Sequence, residues 1–278
     1  MTEQTLRPEP GPGFTVFPLR FTRDPKALIA FLRTLGMAPA ITAGDDGFGD
    51  LVAGAGRVMV HSVQGAESGA AHGDTDLCLA VPDADRAARD LADAGIEATI
   101  WDESYGRQGR LDGPAGEGVS LNEHQSDLYG YQGHDPSAGD HRLAVTAVVM
   151  SEDFGRDAAW FARLGFVADD AADHEDAGDH EGAGDQWWRE LRGPGRAGTI
   201  GLHRPVPEDR RTRPTGEEFG DCLQVRLGFS TTEALDALAE RLTAAGHPAR
   251  LVEGDRARSV RVTDPDGLTV EIHPRAAR

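Results

Sequence analysis

The sequence predicts an α+β fold of four βαβββ modules in tandem, paired in two halves with curved mixed sheets. Three observations carry that expectation. A short apolar strand recurs four times, each copy is followed by an amphipathic helix that stops at glycine, and each module closes on a strand preceded by a tight turn.

The opening strands are FTVFPLRF from Phe14, TDLCLAV from Thr75, LAVTAVVM from Leu143 and LQVRLGF from Leu223. Helix starts follow at Asp24 before Pro25, at Asp83, at Ser151 and at Ser230, the last with Glu233 three residues on as in a capping box. Apolar residues then recur at helical spacing, as in Leu28, Phe31, Leu32 and Leu35 or Leu235, Leu238 and Leu242, so each helix has one face to bury. The helices end at Gly36, Gly95, Gly165 and Gly246. The closing strands are VMVHS at Val58, VSLNE at Val119, IGLHR at Ile200 and VEIHP at Val270, preceded by the turn sequences GAGR, GPAGEG, GPGRAG and DPDG.

Module boundaries fall at residues 14–63, 75–124, 142–204 and 222–274, giving halves 13–124 and 142–278 joined by a Gly/Ser/Asp-rich linker, 125–141, after a flexible N-terminal stretch, 1–12. The third module departs from the pattern at 169–185, which carries eight acidic residues and no Lys or Arg and so reads as a mobile loop. Its His174 and His180, beside carboxylates, are either loose metal ligands or simply solvated.

Bulk composition narrows the functional classes. A chain of 278 residues can bury two cores, and 39% hydrophobic with 27% charged residues lies in the globular range. Cys78 and Cys222 each lie in or beside an apolar run, one per half, which predicts core residues and neither a disulfide framework nor a zinc cluster. No apolar run approaches the roughly 20 residues that span a bilayer, and the polar, Pro/Gly-rich start lacks the features of a secretory signal, so a cytoplasmic chain is expected. With 47 acidic against 28 basic side chains the net charge is −19, which disfavours nucleic acid and anionic membranes and favours cationic guests, or serves solubility alone. The nucleophile elbow, the phosphate-binding loop and the dinucleotide fingerprint are all missing from the sequence.

The capped helix, the glycine stop and above all Asp264-Pro265-Asp266-Gly267-Leu268-Thr269-Val270-Glu271-Ile272 resemble the vicinal oxygen chelate superfamily of glyoxalases, extradiol dioxygenases, fosfomycin-modifying enzymes and bleomycin-resistance proteins. The resemblance implies two glyoxalase-like domains, each of two modules closing into a cleft, and a monomer or homodimer. It also implies that metal-dependent members hold their ion on the first and last strands of the modules. Carried onto this sequence, those positions become Val16, Asp76, Val145 and Gln224 on the first strands and Met59, Ser120, Gly201 and Glu271 on the last. A Lewis-acidic divalent ion needs three or four converging N or O donors, and neither half supplies them, so no metal and no cofactor is expected.

Alternation along the strands places His61, Asn122, His203 and His273 toward the clefts together with Arg20, Cys78 and Arg226, the histidines serving either as ligand contacts or as hydrogen-bonded spacers. Trp187 and Trp188, with Trp101 and Tyr105 in the second module, either stack on a flat, cationic or aromatic guest or pack as ordinary core aromatics. Trp101, Tyr105, Trp187, Trp188, His61, Asp76, Asn122, His203, Gln224 and Arg226 are thus the candidate ligand-binding residues. The expected function is metal-independent binding of a small organic molecule, such as sequestration of an antibiotic or aromatic metabolite. The alternative is a lyase, isomerase or cyclase in which Glu271 and His273 act as acid and base, with or without a weakly held divalent metal.

Overall fold

The computed structural model describes residues 13–44, 47–64, 66, 69–103, 106–125, 128, 130–168, 187–205, 222–253 and 258–276. The stretch 1–12, the acidic insertion 169–185 and Tyr105 lie outside them.

The first module contains β1 (Thr15–Val16), β2 (Leu19–Thr22), α1 (Pro25–Leu35), β3 (Ala38–Thr42), β4 (Phe48–Val52) and β5 (Arg57–Ser62). The second contains β6 (Thr75–Asp76), β7 (Cys78–Val81), α2 (Ala84–Asp93), β8 (Ala98–Glu103), β9 (Gly106–Asp112) and β10 (Gly118–Glu123). Between the halves lie β11 (Gln132–Gly133) and one 3-10 turn, Pro136–Ala138. The third module contains β12 (Leu143–Met150), α3 (Phe154–Arg163), β13 (Val167–Ala168), β14 (Trp188–Arg192) and β15 (Thr199–His203). The fourth contains β16 (Val225–Thr231), α4 (Leu235–Ala244), β17 (Ala249–Glu253), β18 (Arg258–Thr263) and β19 (Thr269–Pro274).

In the second half both modules share one mixed sheet in the order β13-β14-β15-β12-β16-β19-β18-β17. Its seam is the antiparallel ladder between β12 and β16, and each opening strand runs parallel to the closing strand of its own module. In the first half the equivalent seam keeps a single register, Val16↔Leu79 and Leu19↔Asp76, but is split into two pieces. Pro18 causes the split, because it has no N–H to offer. Its carbonyl accepts from Met59, and the Leu77 N–H turns instead to the Leu223 carbonyl of the other half. The linker also pairs, because β11 adds to the edge of β3.

Helix-side residues of every opening strand, among them Val16, Leu79, Val145 and Leu227, join one buried apolar cluster that runs through both halves. The four glycine stops all adopt positive φ, from 73° to 118°, the conformation that ends a helix cheaply without a β-carbon. Asp24 and Asp83 cap α1 and α2 through Ala27 and Arg86 amides. The other two caps differ from the sequence expectation. Asp153 caps α3 in place of Ser151, and α4 begins after Ala234 with no side-chain cap. The reason is length: Ser151 directly follows β12 and Ser230 lies within β16, and two or more residues intervene before the first helical turn. Glu233 binds Arg241 instead, and Arg241 also donates to the last carbonyls of α1 at Thr34 and Leu35.

The halves are clasped by a buried ionic group. Arg20, 3% exposed, donates to Asp264 at 2.6 Å and to Asp266 at 3.1 Å, and Thr22 donates to Asp266. The Asp-Pro-Asp-Gly turn of the fourth module is therefore held by the first strand of the first module, and Arg20 lies in this clasp rather than in a cleft. Removing Asp264 leaves the buried Arg20 with only one of its two carboxylates. We expect Asp264→Ala to cost about 3 kcal/mol in denaturant unfolding; a cost below about 1 kcal/mol would show that the clasp contributes little.

Beside the clasp, Asp76 bridges to Gln224 across the halves. Burial and the neighbouring Asp74 raise its carboxyl to about 7, opposed by a hydrogen bond with Cys222. The folded state thus holds this proton more tightly than the unfolded chain, so the contribution is full below the ordinary carboxylate pKa and is lost as pH rises through 7. We expect the stability advantage of Asp76→Asn over the parent to grow by roughly 2 kcal/mol between pH 5 and pH 8 in urea titrations. An advantage independent of pH would contradict this.

Among the described residues no helix is long and apolar enough to cross a membrane.

Candidate functional site

Each sheet has one face against its helices and one open face, and the two open faces differ in kind. In the first half that face carries an apolar patch of Phe17, Met59, Cys78 and Ala80, with Leu19 and Phe48 packed on them, and beside it the polar Gln108, Arg110, Ser120 and Asn122 of β9 and β10. Arg57 and Asp50 form an ion pair there, with the Arg57 guanidinium 5.3 Å over the Phe17 ring. Tyr131, from the segment joining the halves, stacks on Phe48 at 5.3 Å. His61 lies against Phe21 and Phe48, its Nδ1 2.6 Å from the Ser62 carbonyl.

The open face of the second half is polar. Alternation along β12 and β16 sets Thr146, Val148, Arg226 and Gly228 opposite to the buried Val145, Ala147, Val149, Val225 and Leu227. The same alternation turns Gly201 and His203 on β15 and Glu271 and His273 on β19 toward this face. Trp188 closes over this floor. Its ring lies 6.2 Å from His203 and 6.4 Å from His273, stacked on the latter at 22°. A β-carbon at position 201 would fall inside that indole, so glycine is what lets the ring settle there. In sheet order β14 and β19 are four strands apart, about 19 Å if flat. A contact between Trp188 and His273 therefore requires the sheet to curl into a cup.

Charges in the cup are arranged around Glu271. His273 Nε2 lies 3.2 Å from one carboxylate oxygen and Arg261 Nε 2.9 Å from the other. The hydrogen bond from His273 holds the Glu271 carboxyl below its usual range against the opposing effect of burial, with Arg261 and Arg226 assisting. Surrounding protein lowers the Arg226 pKa and Glu271 opposes that shift, but the guanidinium stays cationic at neutral pH. On the far wall Arg192 pairs with Glu190. His203 Nδ1 lies 2.6 Å from the Arg204 carbonyl, which can only accept, so the proton sits on Nδ1 and Nε2 is left to accept.

Cupped sheets of this topology are found in ring-cleaving dioxygenases. Catechol 2,3-dioxygenase superposes with a TM-score of 0.55 at 12% identity, covering 96% of this chain and 89% of that one. Homoprotocatechuate 2,3-dioxygenase from Arthrobacter globiformis gives 0.55 at 13%, covering 96% and 80%. A xylose isomerase-like TIM barrel/4-hydroxyphenylpyruvate dioxygenase fusion protein gives 0.59 at 14%, covering 100% of this chain and 52% of that one. The chain has the vicinal oxygen chelate fold. At these identities the likeness is one of fold alone. No protein-family model and no curated protein matches the sequence.

Metal-dependent members of the vicinal oxygen chelate fold would place donors on the strands that build this cup. The residues present do not fit. Among the described residues no group of three or more His, Cys, Asp or Glu side chains is placed to hold an ion. Besides Glu271 this face holds His203, His273 and Glu190, but Glu190 is paired with Arg192, and the Glu271 carboxylate already faces two cationic side chains and His273.

The cup brings together Trp188, His203, Arg226, Glu271 and His273. Asp76 and Gln224 sit at the bridge between the halves, and His61, Asn122 and Trp101 lie on the sheets of the first half, where the Trp101 N–H donates to Glu103. Trp187, 38% exposed, precedes β14. The first-strand positions Val16 and Val145 face the helices, not a cleft, because a slip of one residue on a strand exchanges its two faces. Arg261 and Glu190 were missed. The Asp264–Gly267 turn sets Thr263 opposite Thr269, and counting back along the hairpin sets Arg261 opposite Glu271, so the signal was present.

Gly201→Val should expel the Trp188 ring from the floor. We expect a red-shifted, more quenchable tryptophan emission relative to the parent and no such change from the same substitution in a Trp188→Phe background. An unchanged spectrum would contradict the placement of the ring.

Proposed function

We propose that this protein binds a small organic molecule in the cup of its second half, using its own side chains and not a metal ion to hold it. The observation that carries this reading is the Trp188 ring lying over Gly201 between His203 and His273, an exposed aromatic surface on a polar sheet face. The first half supports the cup through the clasp of Arg20 on Asp264 and Asp266, and its own open face carries an apolar patch under Tyr131.

Enclosure and stacking account for the arrangement without a chemical step, and sequestration of an aromatic metabolite or antibiotic is the role that fits it. The catalytic alternative, a lyase, isomerase or cyclase, draws on one observation, the 3.2 Å contact between His273 and Glu271. Against it, a carboxyl held below its usual range is a weak base at neutral pH, whereas efficient general bases have pKa values near the working pH.

Glu271→Gln separates the two. A sequestering protein should lose at most about tenfold in affinity for its guest by calorimetry and show no turnover in either form; an enzyme should lose turnover by orders of magnitude. Measurable turnover of a bound guest that disappears in Glu271→Gln would sink the sequestration reading.

A further inference from the structure

The geometry points to a planar aromatic acid as the guest, with its ring against Trp188 and its carboxylate on Arg226. The inference rests on the cup being the guest site, and it reverses the charge that composition alone suggests.

The chain carries a net charge of −19. On the open face of the described second half, alternation places four arginines, Arg192, Arg226, Arg250 and Arg261, against two glutamates, Glu190 and Glu271. With the histidines neutral, four minus two leaves two positive charges there, whatever pairs form among them. At physiological salt the field of distant surface charges is screened within about 8 Å, so among the described residues it is this local balance, and not the whole-chain charge, that acts on a guest in the cup.

Arg226 is the cation best placed to use that balance. It projects from the second residue of β16, exposed on a strand whose other residues are all buried, and it shares its surroundings with Glu271, itself flanked by Arg261 and His273. A guanidinium fork matches a carboxylate in two parallel hydrogen bonds, and protein around the pair strengthens them relative to open water. The ring position follows from Trp188, whose stacked contact with His273 is wide enough at 6.4 Å for either partner to be exchanged for a flat guest. Beside His273, the Ser230 hydroxyl is buried on the same face with no hydrogen-bond partner. Buried hydroxyls are normally satisfied, and a polar atom of the guest would satisfy this one.

Three isosteric probes test the proposal on the full chain: 2-naphthoate, 2-naphthamide and 2-naphthylmethylammonium, with dissociation constants from calorimetry and tryptophan quenching. We expect the carboxylate to bind about tenfold or more tightly than the amide, and the cation to bind weakest. Arg226→Gln should bring the carboxylate down to the affinity of the amide while leaving the amide within about twofold, and Arg226→Lys should retain part of the preference. Equal binding of all three, tightest binding of the cation, or a preference that survives Arg226→Gln with an unchanged melting temperature would overturn the inference while leaving the cup as a guest site. Binding of none would overturn both.

Discussion

The antiparallel ladder between β12 and β16 is the constraint on which the rest of the site depends. It runs through seven consecutive pairs from Leu143↔Thr231 to Val149↔Val225. Because strand side chains alternate, burial of Val145, Ala147, Val149, Leu227 and Phe229 under α3 and α4 obliges Thr146, Val148, Arg226 and Gly228 to form the floor of the cup. A one-residue slip would bury Arg226 and expose the apolar set, which is why the register is fixed so firmly. The hydrophobic core thus determines the polar site on its reverse face. The inward curl of the sheet then lets a side chain on β14 touch one on β19, and Gly201 leaves room for the indole that does so.

The two halves share an architecture and divide its uses. In the first, Pro18 interrupts the seam, and the amide opposite it is satisfied by the other half through Leu223. Its open face carries an apolar patch under Tyr131. What it supplies to the second half is position: Arg20 grips Asp264 and Asp266, so the turn that sets β18 against β19, and with it Arg261 against Glu271, is braced from outside its own sheet. The same Asp-Pro-Asp-Gly motif that marks the closing strand in the sequence is therefore a clasp in the structure.

Much of the fold was legible in the sequence because its signals are local. Period-2 strands, helices with one apolar stripe and glycines that take positive φ each act within a few residues, and they recur four times. The helix caps at Ser151 and Ser230 were misread because a cap depends on where the first turn begins, and the connection in each case is longer than the spacing rule assumes. Last-strand positions could be placed by their turns, whereas the first strands lack such an anchor, and Val16 and Val145 fell on the wrong face by a single residue. The clasp and the meeting of Trp188 with His273 were not legible, since they join residues 85 to 246 apart in sequence and depend on how far a sheet curls. The excess of arginine over glutamate among the described residues of this face was hidden for the same reason, inside a chain whose total charge is negative.

The central claim is that the cup is held in order by its own cations and does not need an inorganic one. Elemental analysis tests it most directly, on protein equilibrated with iron, manganese, nickel and zinc salts and then desalted, for the parent chain and for Glu271→Gln. The account predicts well under one metal ion per chain in the parent and no difference between the two. One tightly retained ion per chain that is lost on replacing Glu271 would contradict it.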